Sequence, residues 1–410
     1  MARLLIIGQV WPEPSTTSAG HRMLQIIEAL KHHWDITFAT TATTTEYSFD
    51  LTDLGIRTQN ILLNHSSFDD FITGLNPEVV VFDRFMVEEQ FGWRVSEKVP
   101  KALRVLNTED LHSLRKCRGI CHQKSTKFTT DVWLDFEMTK REVASIYRSD
   151  LSLFVSSYEM ELLTENISVP QFLLIHLPFM LDVDSETETP SFNSRQDFIT
   201  FGNGRHVPNV DAIHFLYQEI WPLIRQSLPN AKMKVYGAYL PQDVTQLHKP
   251  ESGFEVLGWC ENLDAKIQES KVCLAPLRFG AGIKGKVVDA IRNGTPVVAT
   301  SITAEGMHPM EIFDGVEAFA KQAVDLYSNH SEWEKAQAAG KMALKSHYDK
   351  KKWTKILLNH LSITEADLIA HRKKNFTGSL LQLNLHSSTK YLSKWIEEKN
   401  KNQSQGRTEQ

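Results

Sequence analysis

Two series of short, almost wholly apolar runs, separated by one polar stretch, constrain this chain more than any other feature. In the first series lie LLIIG (4–8), DITFAT (35–40), VVVFD (79–83), LRVLN (103–107) and LSLFVS (151–156). Runs this short and this uniformly apolar mark strands of a parallel sheet covered on both faces, because neither face meets water. Helix-like segments such as 21–32 fall between them, which is the α/β alternation. The stretch DVDSETETPSFNSRQ (182–196) has few large apolar residues and reads as a linker. The alternation then restarts with FITFGN (198–203), a helix through 212–226, KMKVYG (232–237), FEVLG (254–258), VCLAP (272–276) and PVVAT (296–300). The boundaries expected are a first unit at 1–181, a linker at 182–197, a second unit at 198–360, and a helical extension with a polar tail at 361–410. The last ten residues, polar throughout, read as disordered. Two tandem α/β units place a cleft between them, and ligands of such sheets sit at the carboxyl ends of strands.

Composition removes several function classes. With 45 Lys and Arg against 50 Asp and Glu the net charge is −5, which argues against nucleic acid as the main partner. Four irregularly placed cysteines are no disulfide framework and fit a reducing compartment. The opening MARLLIIGQVWPEP reads as a buried first strand rather than a signal peptide. No stretch approaches the roughly 18–20 apolar residues that span a bilayer. The expectation is a cytoplasmic protein, with at most a peripheral attachment at the inner membrane surface.

The segment LAPLRFGAGIKGKVVDAIRNGTPVVATS (274–301) carries the most chemistry. Gly280, Gly282 and Gly285 spell GxGxxG between a strand and a helix, and glycines there let backbone approach a ligand. The helix start offers unpaired N–H groups and a partial positive charge, both suited to phosphate. Lys284 and Lys286 add two cations, giving a candidate diphosphate cradle. A dinucleotide-binding motif would sit on the first strand of its domain, with an acid about 20 residues later. Here the nearest acid is Asp289, four residues on, where it can meet a ribose or merely pair with Lys286 at i, i+3 on a solvated helix face.

Several motifs in matching order make this region resemble the donor site of glycosyltransferase family 4, enzymes of the GT-B type. The resemblance rests on the GAGIKGK loop (280–286), Asp289, GTPVV (294–298) and the turn ending in Glu305 and Gly306. FGNGRHVPNVD (201–211) resembles that family's GN-x-x-H-x-PN-x-D loop and makes Arg205 the group to meet a donor diphosphate. STTSAGHRMLQIIEAL (15–30) resembles its N-terminal loop, with Gly20 and Arg22 matching, and LNTEDLHSLRKCR (106–118) its D-x-H-x-LR stretch, with His112 as the active-site histidine. The chain departs from the family where relatives carry a lysine and it has Pro208 and Asn209, which shifts charge neutralisation to Lys284 and Lys286. It departs again at Ala281, eight residues before Asp289, where much of the family has a glutamate, so contacts to the donor sugar must come from loop amides or elsewhere.

The resemblance implies two Rossmann-like α/β/α domains facing a central cleft, in an α/β GT-B fold. It implies retaining, metal-independent transfer of a sugar from a nucleotide-diphosphate sugar, a co-substrate rather than a tightly bound cofactor, to a glycan, lipid-linked or protein acceptor. His112, Arg205 and Lys284 are the catalytic candidates; Gly20, Arg22, Gly280, Gly282, Gly285, Lys286 and Asp289 are the binding candidates. A nucleotide-sugar epimerase of the same architecture, and a degenerate member acting as a scaffold, stay open.

Other signals weigh less. Asp182-Val183-Asp184 is a literal DxD, but it lies in the linker rather than after a strand. Cys117, Cys121 and His122 form C-x3-C-H without the second ligand pair of a zinc site. SSTKYLSKWIEEKN (387–400) puts Tyr391, Leu392, Trp395 and Ile396 on one stripe beside lysines. Such a helix either lies on an anionic membrane or, the favoured reading, packs back on the first domain. Residues 371–410 carry eight Lys and Arg against three Glu, a net +5, which leaves −10 on residues 1–370.

Overall fold

A computed structural model describes residues 1–183 and 189–408 of the chain, with the side chains of 384–387 and 403–408 also outside the description. The first unit holds β1 (Ala2–Gly8), β2 (Trp34–Thr40), β3 (Arg57–Asn60), β4 (Val79–Asp83), β5 (Leu103–Glu109), β6 (Leu151–Phe154) and β7 (Leu174–His176). They form one parallel sheet in the order β3-β2-β1-β4-β5-β6-β7. The second unit holds β8 (Gln196–Phe201), β9 (Met233–Tyr236), β10 (Phe254–Gly258), β11 (Ser270–Ala275) and β12 (Val297–Ala299), parallel in the order β10-β9-β8-β11-β12.

Every apolar run read from sequence is a strand. Burial explains why: Leu4 to Ile7 and Val79 to Phe82 are sealed on both faces, alternate residues joining the two cores that flank the first sheet. Phe198, Met233, Val235, Val272 and Leu274 build the larger core of the second sheet. The two strands without a clear sequence signal are at the edges of the first sheet. β3 is RTQN with all four side chains exposed, and β7 has three residues. An edge strand needs only one partner and no apolar face.

The chain returns to the first unit near its end. Leu181 N–H donates to Tyr348 O (2.7 Å) and Lys350 N–H to Leu181 O (2.9 Å). Beyond that crossing, helix Lys350–Ala366 buries Leu357 and Leu361 in a core of the first sheet. The boundary expected at 360 cuts this helix and gives its first eleven residues to the second unit, whereas its apolar residues pack on the first. The last helix, Phe376–Thr408, lies across helices Phe85–Lys98 and Glu137–Arg148 of the first unit. Residues 401–408 therefore continue that helix instead of forming the disordered tail expected from their composition. Residues 184–188 of the 182–197 linker, including Asp184 of the DxD, lie outside the described residues. Among those described, no helix is long and apolar enough to cross a membrane.

Candidate active site in the interdomain cleft

The carboxyl ends of both sheets face one cleft of about 650 Å³, large enough for a small ligand. The glycine loop 280–286, between β11 and helix Gly285–Arg292, forms its floor on the second unit. Close approach explains two of the glycines. A Cβ at Gly282, whose φ is +65°, would lie 2.7 Å from Asp110 Cβ, and one at Gly285 would lie 2.0 Å from Ser18 Oγ. Both neighbours belong to the first unit, so the loop is pressed against the opposite wall as well as lining the pocket.

The two lysines differ in their partners. Lys284 is buried, donates from Nζ to Gly282 O (2.8 Å), and feels Glu305 and Glu159. Burial pulls its pKa down while those carboxylates pull it up. Lys286 is equally buried at the head of helix Gly285–Arg292, yet no ion pair holds it among the described residues. Desolvation lowers it to about 8. A buried cation without an ion-pair partner among the described residues, beside a helix N-terminus and an open cavity, has the surroundings that suit an anion. Asp289, one turn further on, faces the same cavity and is raised to about 6, chiefly by desolvation. It does not pair with Lys286; its nearest cation is Arg292 at 3.9 Å.

Arg205 stands exposed at the lip, its guanidinium carbon 3.6 Å above the Tyr239 ring. Tyr239 touches Tyr47, and Tyr47 touches Trp259, giving an aromatic rim that runs between the units. Gly20 lines the cleft. Arg22 does not: it is fully buried beneath it, donating to Asn107, to Glu109 (3.0 Å) and to Leu177 O (2.8 Å). The expectation that Arg22 contacts ligand is therefore corrected. Its two terminal nitrogens hold the end of β5 and the Leu177 carbonyl, so it supports the wall from behind.

His112 begins helix His112–Gln123 at the carboxyl end of β5 and lines the cleft. Glu142 accepts the His112 and Ser113 amides (2.9 and 3.0 Å), fixing the start of that helix in place of an N-cap side chain. The imidazole Nε2 is 3.3 Å from Asp110, and burial lowers its pKa to about 3 even so. It is a neutral hydrogen-bonding group at any physiological pH. Burial alone would raise Asp110; the Arg115 guanidinium beside it holds it well below the ordinary carboxylate range.

Sequence reading overlooked most of the groups that join the two walls. Arg118 pairs with both oxygens of Glu305 (2.6 and 2.8 Å) and donates to Gly280 O (2.9 Å). Glu159 accepts from Leu111 N–H (3.1 Å) on one side and Gly282 N–H (2.7 Å) on the other. Tyr239 OH reaches the Glu13 carboxylate at 3.3 Å. Asp110 was present in the D-x-H stretch and could have been found; a cross-domain pair such as Arg118 with Glu305, 187 residues apart, leaves no local signal. Arg84 and Glu109, at the ends of β4 and β5, hold φ of +78° and +60°, strained values for non-glycine residues. Both line the cleft. Cys117 and Cys121 are buried free thiols, and His122 turns instead to Asp211 (3.3 Å) and Phe279. No group of three metal-ligating side chains converges among the described residues.

Comparison with known proteins finds a family model that matches the second unit. The model of the family described as Glycosyl transferases group 1 matches residues 195–329. A curated relative, an uncharacterized 44.6 kDa protein in the cps region of Klebsiella pneumoniae, is 24% identical over 232 residues, which are 53% of this chain and 57% of that protein. The match thus spans little more than half of that relative's length. Among solved structures, HepE of Anabaena, in complex with UDP and glucose, superposes with a TM-score of 0.64 at 13% identity, covering 88% of this chain and all of that one. Sucrose-phosphate synthase of Thermosynechococcus elongatus gives a TM-score of 0.66 at 13% identity, covering 88% and 98%. At such identities the structural likeness speaks for the fold, which is GT-B. The chain thus has the GT-B fold, and its residues 195–329 match the family described as Glycosyl transferases group 1.

Proposed function

We propose that the protein is a glycosyltransferase that moves a sugar from a nucleoside diphosphate sugar to an acceptor hydroxyl in the interdomain cleft, with retention and without a metal. The observation that carries this is Lys286: a buried cation, lacking an ion-pair partner among the described residues, at a helix N-terminus that opens on the cleft. In this reading Lys286, Lys284 and Arg205 receive the diphosphate, the amides of the glycine loop approach it, and Asp289 meets the ribose hydroxyls. The neutral His112 hydrogen-bonds the sugar. The anomeric C–O bond to the diphosphate breaks as the bond to the acceptor oxygen forms on the same face. The acceptor proton passes to a diphosphate oxygen, so the protein supplies positive charge rather than a nucleophile. HepE, solved with UDP and with UDP-glucose, supports a uridine donor as the first to try.

The test is calorimetric titration of nucleoside diphosphate sugars with chelator present, followed by product analysis. One donor should bind and be slowly hydrolysed or transferred, and Lys286→Ala should lose it. Failure of every donor to bind would refute the reading, and turnover that collapses on chelation would refute its metal independence. Release of free nucleotide and an epimerised sugar, with no acceptor, would assign an epimerase.

A further inference from the structure

The last helix, Phe376–Thr408, is amphipathic in the opposite sense to its docking. It meets the first unit through its polar face. Gln382 donates to Arg148 O (2.9 Å), Arg94 reaches Ser393 Oγ (3.4 Å) and Glu397 (3.2 Å), and Lys390 meets Glu97 (2.9 Å). Gly378 allows this approach, since a Cβ there would lie 2.1 Å from Tyr147 O. Ser393 and Glu397 are each only 3% exposed. Phe376, Leu380, Tyr391 and Trp395 fall within about 100° of arc on the other side, at 100° per residue. Tyr391 is 71% and Trp395 61% exposed, with Leu383 and Leu392 exposed at the margins. A helix that served only to close the fold would be rotated by half a turn.

We propose that this stripe lies on an anionic lipid surface, attaching the protein peripherally with the helix parallel to the membrane plane. Charge argues for that occupant. Residues 371–410 carry a net +5 while residues 1–370 carry −10, so the positive charge is concentrated where the apolar stripe is. Lys373 and Lys374 are exposed immediately before the helix, and the Lys399 ammonium lies 5.3 Å from the Trp395 ring centre. Aromatic side chains interleaved with lysines suit the headgroup boundary, where rings enter the acyl layer and ammonium groups meet lipid phosphates. Ile369, 74% exposed in the preceding helix Leu368–Lys374, adds to the apolar surface. A second copy on the same stripe would bring this basic segment against itself, since a two-fold contact repeats each patch. The inference does not depend on the catalytic reading, because none of these side chains lines the cleft.

Sedimentation of the full chain with vesicles tests it. The protein should pellet with phosphatidylcholine–phosphatidylglycerol vesicles, remain in solution with phosphatidylcholine alone, and be released by salt. Tyr391→Ser with Trp395→Ser should weaken vesicle binding by about tenfold or more, because both lose apolar area in the lipid, with the melting temperature unchanged. Lys373→Glu with Lys374→Glu should remove the preference for the anionic vesicles. Failure of the wild type to bind them, or undiminished binding by the aromatic variant, would overturn the proposal. So would a concentration-dependent dimer in ultracentrifugation that the aromatic variant returns to monomer.

Discussion

Replacing Lys286 with methionine should stabilise the unliganded protein and destroy donor binding, and the two effects arise from the same burial. The lysine stem keeps its packing in Lys286→Met, while the charge is lost. Desolvation brings the amine from 10.5 to about 8. At 1.36 kcal/mol per pKa unit, carrying that proton inside the folded apoprotein at pH 7 costs about 3 kcal/mol, an upper figure once relaxation is allowed. Relief of even about 1 kcal/mol should raise the melting temperature of a domain this size by about 2–4 °C. A diphosphate would repay the cost by pairing with the ammonium, so truncating it should weaken nucleotide binding by about 2–5 kcal/mol, or roughly 30- to 4,000-fold. Scanning calorimetry of the free protein and titration with the bound nucleotide give the two numbers. A variant that melts lower and binds the nucleotide unchanged would show that Lys286 is a structural cation, and the anion-site reasoning would be wrong.

Other perturbations give separate checks. Because a ligand anion binds the charged amines, nucleotide affinity should fall above pH 8, where Lys286 and Lys284 both lose their protons without ligand, by about tenfold per unit or more; titration from pH 7 to 10 tests this, and a flat profile to pH 10 would contradict it. Gly285→Ala should cost most of the activity by driving Cβ into Ser18, and Ser18→Gly in the same chain should restore part of it, which a kinetic double-mutant cycle measures. Glu305→Gln should free Arg118, increase the radius of gyration in solution scattering and raise the donor KM more than it lowers kcat, whereas an unchanged scattering profile would argue against a clamp. His112→Ala should lower kcat without adding a new pH dependence between 5 and 8, since the imidazole is already neutral there.

Legibility in the sequence followed the range of the interactions. Strands such as VVVFD were visible because sealing both faces of a strand demands an unbroken apolar run. The glycine loop and its lysines were visible because three glycines and two lysines fall within seven residues between a strand and a helix. β3 was invisible, since an exposed edge strand asks nothing of its side chains. Arg22 was misplaced because a motif fixes where a residue falls in the chain but not which way it turns. Its guanidinium points to Asn107, Glu109 and Leu177, partners 85 to 155 residues away. The stripe of the last helix was expected to pack back on the first unit, but Tyr391, Leu392 and Trp395 are exposed and the helix docks by its other face, fixed by Arg94 and Asp69, 299 and more residues upstream of their partners.

The same loop serves two demands that sequence could show only as one. Glycines at 282 and 285 are readable as room for a phosphate, yet the atoms that would be struck first by a side chain belong to Asp110 and Ser18 of the opposite unit. Gly282 N–H is already spent on Glu159, and Gly280 O on Arg118. A diphosphate held at Lys286 and a shut cleft therefore draw on one seven-residue segment, and opening the cleft must withdraw that segment from the first unit. Because Asp110 lies 3.3 Å from His112, the withdrawal also separates the histidine from the phosphate cradle. In the proposed reaction, donor chemistry would be confined to this shut arrangement, which the Arg118–Glu305 pair and the loop contacts of Glu159 hold together. Substitutions at 282 and 285 should accordingly impair closure and turnover together, and a variant that separated the two, remaining shut by scattering but inactive, would locate the function of these glycines in the phosphate contact alone.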